Sequence, residues 1–282
     1  MSWLEFDLLR RAVLGCVLAG LLTGLMGVFV VRMRLSAIGY SMSHGAFAGA
    51  ALGVALATNP LVTALLFAAA TALLIGPVAD QARLPVDTIT SILFPLNMAL
   101  AFVFLTLTPE IGLTSQVASV LWGSLIALTN SDVVALVLLS GVTVAVIHFV
   151  WKELFAIMFN RRLAEADGIP TRPLLYLIIF LAGVVVTFAL KLVGGLLVYA
   201  LLFNPAATAL QFLEDMRRII LVAPVLGVAT NLAGLLVSLS LDLPVGACIV
   251  LVSTIVFLFA VLLSPKRRRH RILEPAHQEV TT

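Results

Sequence analysis

The chain alternates long apolar runs with short polar breaks. A hydrocarbon core of ~30 Å is crossed by ~20 residues at a rise of 1.5 Å each, and roughly nine runs reach that length. They lie near 8–31, 37–57, 60–79, 88–108, 132–151, 174–191, 195–212, 219–240 and 243–264. The breaks between 37–57 and 60–79, and between 174–191 and 195–212, are brief enough for one member of each pair to be kinked or re-entrant. The pattern therefore predicts an all-α polytopic membrane bundle of eight or nine transmembrane helices.

Two connections are more than turns. Residues 109–131 contain Ser119-Val-Leu-Trp-Gly-Ser-Leu-Ile-Ala-Leu128, which is apolar but too short to span and reads as an interfacial or partly inserted helix. Residues 152–173 contain a short amphipathic helix over Phe159–Pro170. Phe159, Leu163 and Ala166 recur at helical spacing, Gly168 is a stop, and Pro170 cannot continue it. Such a helix either lies flat on lipid headgroups or docks a cytoplasmic partner.

Composition agrees with the pattern. At 62% hydrophobic and 11% charged residues, the chain is far from the about 25% charged residues of a soluble domain. The formal charge of +3 does not imply nucleic-acid binding, because the basic residues sit in short loops and report topology. Arg32, Arg34, Arg83, Lys152, Arg161, Arg162, Arg172, Arg217, Arg218 and five residues within 266–271 fall on one face, fourteen in all, against Arg10, Arg11 and Lys191 on the other. Basic residues near span ends stay on the cytoplasmic side, which predicts a cytoplasmic C-terminus and a solvated basic tail over 266–282. Residues 1–265 form the membrane domain. The N-terminal stretch is acidic and has no small-residue cleavage site after its first apolar run, so the first span is expected to be retained. Cys16 and Cys248 lie far apart in apolar runs and read as two buried thiols.

His44 is the informative exception, a polar, metal-competent ring inside Gly39-Tyr-Ser-Met-Ser-His-Gly-Ala-Phe-Ala-Gly49. Gly45, Gly49 and Gly53 repeat every four residues and permit close helix approach, which places this helix centrally in the bundle. Tyr40 and His44 share one face at i and i+4. A polar ring at membrane depth either bonds a neighbouring helix or lines a pathway. In the second case a neutral imidazole offers its lone pair to Zn²⁺, and less well to Mn²⁺. His148, beside Trp151 and Lys152, reads as an interfacial residue. Asp87, Asp132 and Asp242 read as caps or solvated loop residues, Ser131-Asp132 in particular standing ahead of a helix. Asn204-Pro205 breaks an apolar run, and a proline there frees backbone carbonyls that either line a cavity or simply accompany a kink.

No Gly-x-x-x-x-Gly-Lys-Ser/Thr occurs, so the chain carries no phosphate-binding loop of this type. The absence of His-Glu-x-x-His, Gly-x-Ser-x-Gly and paired intramembrane carboxylates weakens an intramembrane protease or a proton-driven antiporter.

These residues together resemble the membrane permeases of bacterial ABC importers for zinc, manganese or iron, over nearly the whole chain. The likeness rests on Gly39, Ser43 and His44 in the second span, Trp122-Gly-Ser-Leu-Ile-Ala127 followed by Ser131-Asp132, and Phe159, Ala164 and Gly168 in the internal loop. It continues through Val193-Gly-Gly-Leu-Leu-Val-Tyr-Ala-Leu-Leu-Phe-Asn-Pro-Ala-Ala-Thr-Ala209 and Asp242-Leu-Pro-Val-Gly246. Two departures stand out: Asn160 occupies a position where an acid is usual, and Tyr40 replaces the Asp that in the family pairs with the His to coordinate metal.

The resemblance implies a type II-like importer permease of the bacterial plasma (inner) membrane, with no bond chemistry and no bound cofactor of its own. It implies a homodimer served by a cytoplasmic ATP-binding subunit and an external metal-binding protein. His44 becomes the metal contact with Tyr40 beside it, Ser43, Asn204 and Pro205 the translocation path, and Phe159, Leu163, Ala164, Gly168 and Ile169 the ATPase-coupling segment. Zinc is the first expected cargo and manganese the second. The rival is a self-sufficient secondary carrier or channel in which His44 relays protons or binds a cation unaided.

Overall fold

The computed structural model describes residues 3–107, 128–194 and 198–265. The interfacial segment, the Trp122–Ala127 motif, residues 195–197 and the basic tail lie outside them. Every regular element among the described residues is a helix: α1 Trp3–Arg32, α2 Ser36–Ala55, α3 Pro60–Ala82, α4 Val86–Thr106, α5 Asn130–Phe149, α6 Trp151–Phe159, α7 Arg161–Ala166, α8 Thr171–Val193, α9 Val198–Phe212, α10 Met216–Leu241 and α11 Val245–Leu263.

Seven of these, α1, α3, α4, α5, α8, α10 and α11, are long and apolar enough to cross a membrane, fewer than the eight or nine expected. The two shortfalls have different causes. Helix α9 has 15 residues, ~22 Å of rise. Helix α2 has a spanning length of 20 residues, but its Gly, Ser and His content lowers its hydropathy. That composition is tolerated because other helices cover it: from Ile38 to Ala51 every residue except Tyr40 is buried.

The bundle is organised around α1 and α8, whose most apolar windows are 72% and 67% buried, whereas those of α4 and α5 are only 22% buried. Helix α1 packs along α10 and also meets α9, α8 and α5, while α2 packs against α3, α4 and α8. The α1–α10 seam is a backbone-to-backbone contact in which Gly20 faces Gly227, and Gly24 faces Ala223 and Pro224. Lipid supplies no hydrophobic drive between helices, so this close approach supplies van der Waals contact instead. Buried amides tie the seams: Asn231 donates to the Cys16 carbonyl at 3.1 Å, and Asn97 to the Ser41 carbonyl at 3.1 Å. Cys16 and Cys248 are free and buried, as expected.

The helix ends correct two expectations, for Asp132 and for the internal loop, and bear out a third, for Asp242. Asp132 does not precede α5; Thr129 is the N-cap, accepting from the Asp132 backbone N–H while the Asp132 carboxylate accepts from the Thr129 N–H at 2.9 Å. This reciprocal pair satisfies two otherwise orphaned donors. Asp242 ends α10 in the left-handed region at φ 53°. The internal loop holds two helices rather than one from Phe159. Asn160 caps α7 by accepting from the backbone N–H groups of Arg162 at 3.0 Å and Leu163 at 3.3 Å, which leaves Phe159 as the last residue of α6.

A larger side chain at the α1–α10 seam should be poorly tolerated. Gly227→Val would collide with the Gly20 backbone, which has no rotamer with which to yield, at a cost of about 1–3 kcal/mol. Gly141 in α5 has nothing within 4 Å of a built Cβ, so Gly141→Ala should be neutral or stabilising by up to ~1 kcal/mol. Thermal unfolding of the detergent-solubilised chains, followed by size-exclusion chromatography, checks the contrast.

Candidate functional site

The site grows out of the packing of α2. Gly45 faces Thr71 and Asn97, Gly49 faces Ala64 and Phe67, and Gly53 faces Pro60 and Thr63. One glycine edge is thus pressed onto α3 and α4, which confirms the central position expected for this helix. The opposite features are Tyr40 and His44. His44 is buried, whereas Tyr40 is 43% exposed, the one opening in an otherwise covered stretch.

The His44 ring is held from its own helix rather than by a neighbouring one. Nδ1 lies 2.9 Å from the Tyr40 carbonyl oxygen and 3.2 Å from Ser43 Oγ, which itself donates to the same carbonyl at 2.9 Å. A carbonyl oxygen only accepts, so Nδ1 carries the hydrogen, and in the neutral ring the lone pair resides on Nε2. A backbone carbonyl on one imidazole nitrogen is the usual arrangement behind a metal-binding nitrogen on the other.

Aromatic rings surround this imidazole. Phe94 of α4 meets His44 edge-on at a centroid distance of 4.6 Å and Tyr40 at 5.5 Å. Tyr40 stacks with His44 at 6.1 Å and lies 3.9 Å from Tyr199 of α9, which contacts Phe203 at 4.5 Å. Gly39 makes room for Tyr199 and Phe203. Two of the three tyrosines in the chain therefore meet each other, and one of them, Tyr40, meets the imidazole. Among the described residues no group of three or more His, Cys, Asp and Glu side chains is placed to hold a metal ion. The chemistry shown among the described residues is one imidazole nitrogen with one phenol against it and a second phenol beyond.

Of the residues expected on the pathway, Ser43 is buried against His44. Asn204 instead donates to Ser253 Oγ at 2.9 Å and Thr254 Oγ1 at 3.1 Å, tying α9 to α11, and Pro205 is buried. The neighbour that reaches the cluster is Phe203. Phe94, Tyr199 and Phe203 were not anticipated, although Tyr199 and Phe203 stand four apart immediately before Asn204-Pro205, as Tyr40 and His44 do in α2.

The loop residues separate into two faces. Phe159 and Leu163 are exposed at 79% and 56%, while Ala164 is buried and Ile169 packs against the core. Gly168 adopts φ 80°, a conformation that suits glycine. Ala164, Gly168 and Ile169 therefore shape the turn, leaving Phe159 and Leu163 to face outward. Beside them a cavity of about 850 Å³ is lined by Arg32, Arg34, Asp87, Phe159, Asn160 and Arg161. Glu165 fastens α7 to α8, accepting from Thr171 Oγ1 at 2.5 Å and from Arg161 Nε at 3.1 Å. The Thr171 hydroxyl first, and Arg161 next, hold its carboxyl below the usual range. His148, expected at an interface, is exposed at the end of α5.

The chain belongs to the ABC 3 transport family, whose model matches residues 5–264. It is 30% identical over 264 residues to a manganese transport system membrane protein, MntC, of Listeria innocua, covering 94% of this chain and 93% of the relative. It is 26% identical to a manganese import system permease protein, ScaB, of Streptococcus parasanguinis, covering 97% and 96%. It is 27% identical to a high-affinity zinc uptake system membrane protein, ZnuB, of Buchnera aphidicola, covering 90% and 97%. The fold is shared with PsaBC from Streptococcus pneumoniae, solved in complex with Fab, at a TM-score of 0.83, 24% identity and coverage of 94% and 95%. The chain is thus an integral protein of the plasma membrane and a transport component of the ABC type.

The Glu165 contact predicts a pH dependence. Because folding lowers this carboxyl's pKa, its contribution is present above the ordinary carboxylate pKa of ~4.3 and is lost as pH falls through the depressed value. Thr171→Val removes the largest cause and should move the Glu165 titration upward, which ¹³C-carboxyl NMR of Glu-labelled protein would record.

Proposed function

We propose that this chain is the homodimeric permease of an ATP-driven importer for a divalent transition metal, with zinc preferred over manganese. The observation that carries this reading is the buried His44 ring, whose Nε2 lone pair sits in an aromatic pocket. Imidazole suits Zn²⁺, whereas Mn²⁺ favours the carboxylates that this pocket lacks. One His gives a weak site, and a pathway has to release what it binds. The exposed Tyr40 edge is where a second copy can bring another His44 and another phenol, completing the coordination of an ion handed over by an external metal-binding protein. Ser43 holds the imidazole, and Asn204, tied to Ser253 and Thr254 of α11, with Pro205 beside it, fixes the stretch of α9 that carries Phe203.

The membrane domain spans 1–265, with α2 and α9 adding to the seven apolar helices to reach eight or nine spans. The fourteen basic residues on one face support a cytoplasmic C-terminus and a cytoplasmic tail over 266–282. A separate cytoplasmic ATP-binding subunit docks on Phe159 and Leu163, and its ATP cycle drives alternating access. Named relatives in manganese and zinc transport support the cargo class.

In proteoliposomes containing the permease and its ATPase, His44→Ala should lower ATP-dependent ⁶⁵Zn uptake at least about tenfold, the equivalent of ~1.4 kcal/mol; unchanged uptake would refute the assignment. Tyr40→Asp restores an anionic oxygen and should raise the manganese-to-zinc uptake ratio.

Docking has its own measurement. Phe159→Asp with Leu163→Asp should abolish co-purification of the ATPase without changing the elution volume of the permease, because both side chains face outward. Intact co-purification would place the contact elsewhere.

A further inference from the structure

A second cavity, separate from the His44 site, lies between α1, α5 and α10. Its volume is about 720 Å³, and its walls include Leu21, Leu221 and Val225, with Trp151, His148 and Arg217 at one end. Leu21, Leu221 and Val225 are 38%, 71% and 64% exposed, so the groove is open along its apolar length. The polar end coincides with the end of α5 at Phe149 and the start of α10 at Met216, where two membrane helices reach the interface. From Arg217 to Val225 the wall of α10 rises ~12 Å, enough for the upper part of an acyl chain.

We propose that this groove binds an anionic phospholipid, its phosphate at Arg217 and His148 and its first acyl chain against Leu21, Leu221 and Val225. Charge distinguishes the occupant. Asp215 accepts from the Arg217 backbone N–H at 3.0 Å and pairs through its carboxylate with Arg218 at 3.7 Å. The Arg217 guanidinium has no acidic partner among the described residues and borders the groove. A guanidinium with no acidic partner among the described residues, at headgroup depth above an apolar slot and beside an interfacial Trp, matches a lipid phosphate with a chain attached. A second copy is the less suitable occupant, because pairing the His44 sites requires the Tyr40 edge. Helix α2 packs on α3, α4 and α8, whereas α1, α5 and α10 wall the groove. The inference is independent of which ion is carried.

The test uses the full chain with Trp3 and Trp122 replaced by Phe, leaving Trp151 as the sole indole, reconstituted in phosphatidylcholine vesicles. Phosphatidylglycerol brominated high in its acyl chains, at one-tenth of the lipid, should quench Trp151 with an apparent association about fivefold above that of equally brominated phosphatidylcholine, the equivalent of ~1 kcal/mol for one basic residue at the surface. Arg217→Ala should reduce the preference to that of phosphatidylcholine, and Arg218→Ala, which removes the ion-paired neighbour, should leave it intact. Equal quenching by the two lipids would overturn the proposal. So would Trp151 shielded from both lipids in protein that cross-links through the groove, since a second copy would then fill it.

Discussion

The site depends on α2 being enclosed by other helices. A segment carrying Ser41, Ser43, His44 and four glycines could not face lipid, where each unsatisfied polar group is expensive and glycine contributes little apolar surface. Enclosure removes that penalty but imposes another demand, that each buried polar group find a partner inside the bundle. His44 and Ser43 meet it by turning back to the Tyr40 carbonyl, and Asn97 meets it from α4 by donating to the Ser41 carbonyl, whereas the buried Ser41 hydroxyl has no partner among the described residues. The glycines that lower the hydropathy of α2 are the same residues that let α3 and α4 approach closely enough to enclose it. Composition and packing are therefore two sides of one constraint.

That constraint also explains what could be read from the sequence. The apolar runs located the membrane helices because exclusion of polar side chains from lipid is a local property of each segment. The glycine repeat and the Tyr40–His44 pair were legible because both are i,i+4 relations within one helix. The site's other members were not, because Phe94 comes from α4 and Tyr199 and Phe203 from α9, and interhelical register leaves no mark in one segment. Hydropathy alone does not single out α2 for a related reason: a run enclosed by protein obeys a different rule from one facing lipid. In the loop, Asn160 is a strong N-cap residue, and it starts α7 at Arg161, two residues after Phe159. The Asn in place of the acid usual in the family preserves that cap, since Asn and Asp accept equally well there.

The replacement at position 40 has the opposite character. Asp and Tyr are not equivalent before a metal ion: an aspartate brings a charge, whereas a phenol with pKa ~10 stays neutral near pH 7. In a low-dielectric pocket the unbalanced charge of a dication is the largest electrostatic quantity present. On the proposed function, such a pocket binds an ion more weakly than one with carboxylates, and favours ions for which the nitrogen bond is strong. Shallow binding is compatible with transport, where tight binding would be a trap.

On the proposed function, energy for release has to reach this pocket from the cytoplasmic side, and the contacts restrict the routes. Helix α7 is fastened to α8 by Glu165 and Thr171, while one turn further along α8 Tyr176 lies on Gly76 and donates to Asp80 of α3 at 2.6 Å. Higher on α8, Gly183 receives Met42 of α2, two residues from Tyr40 and from His44. On the proposed function, α8 is the element that links α7 to both α3 and α2, and α3 holds the glycine edge of the helix that carries the imidazole. Coupling through such a link requires only that α8 have two packed positions, since packed helices shift between discrete arrangements rather than deforming continuously. Methionine beneath a glycine suits such a contact, because its unbranched side chain repacks with little strain when the backbone opposite it slides.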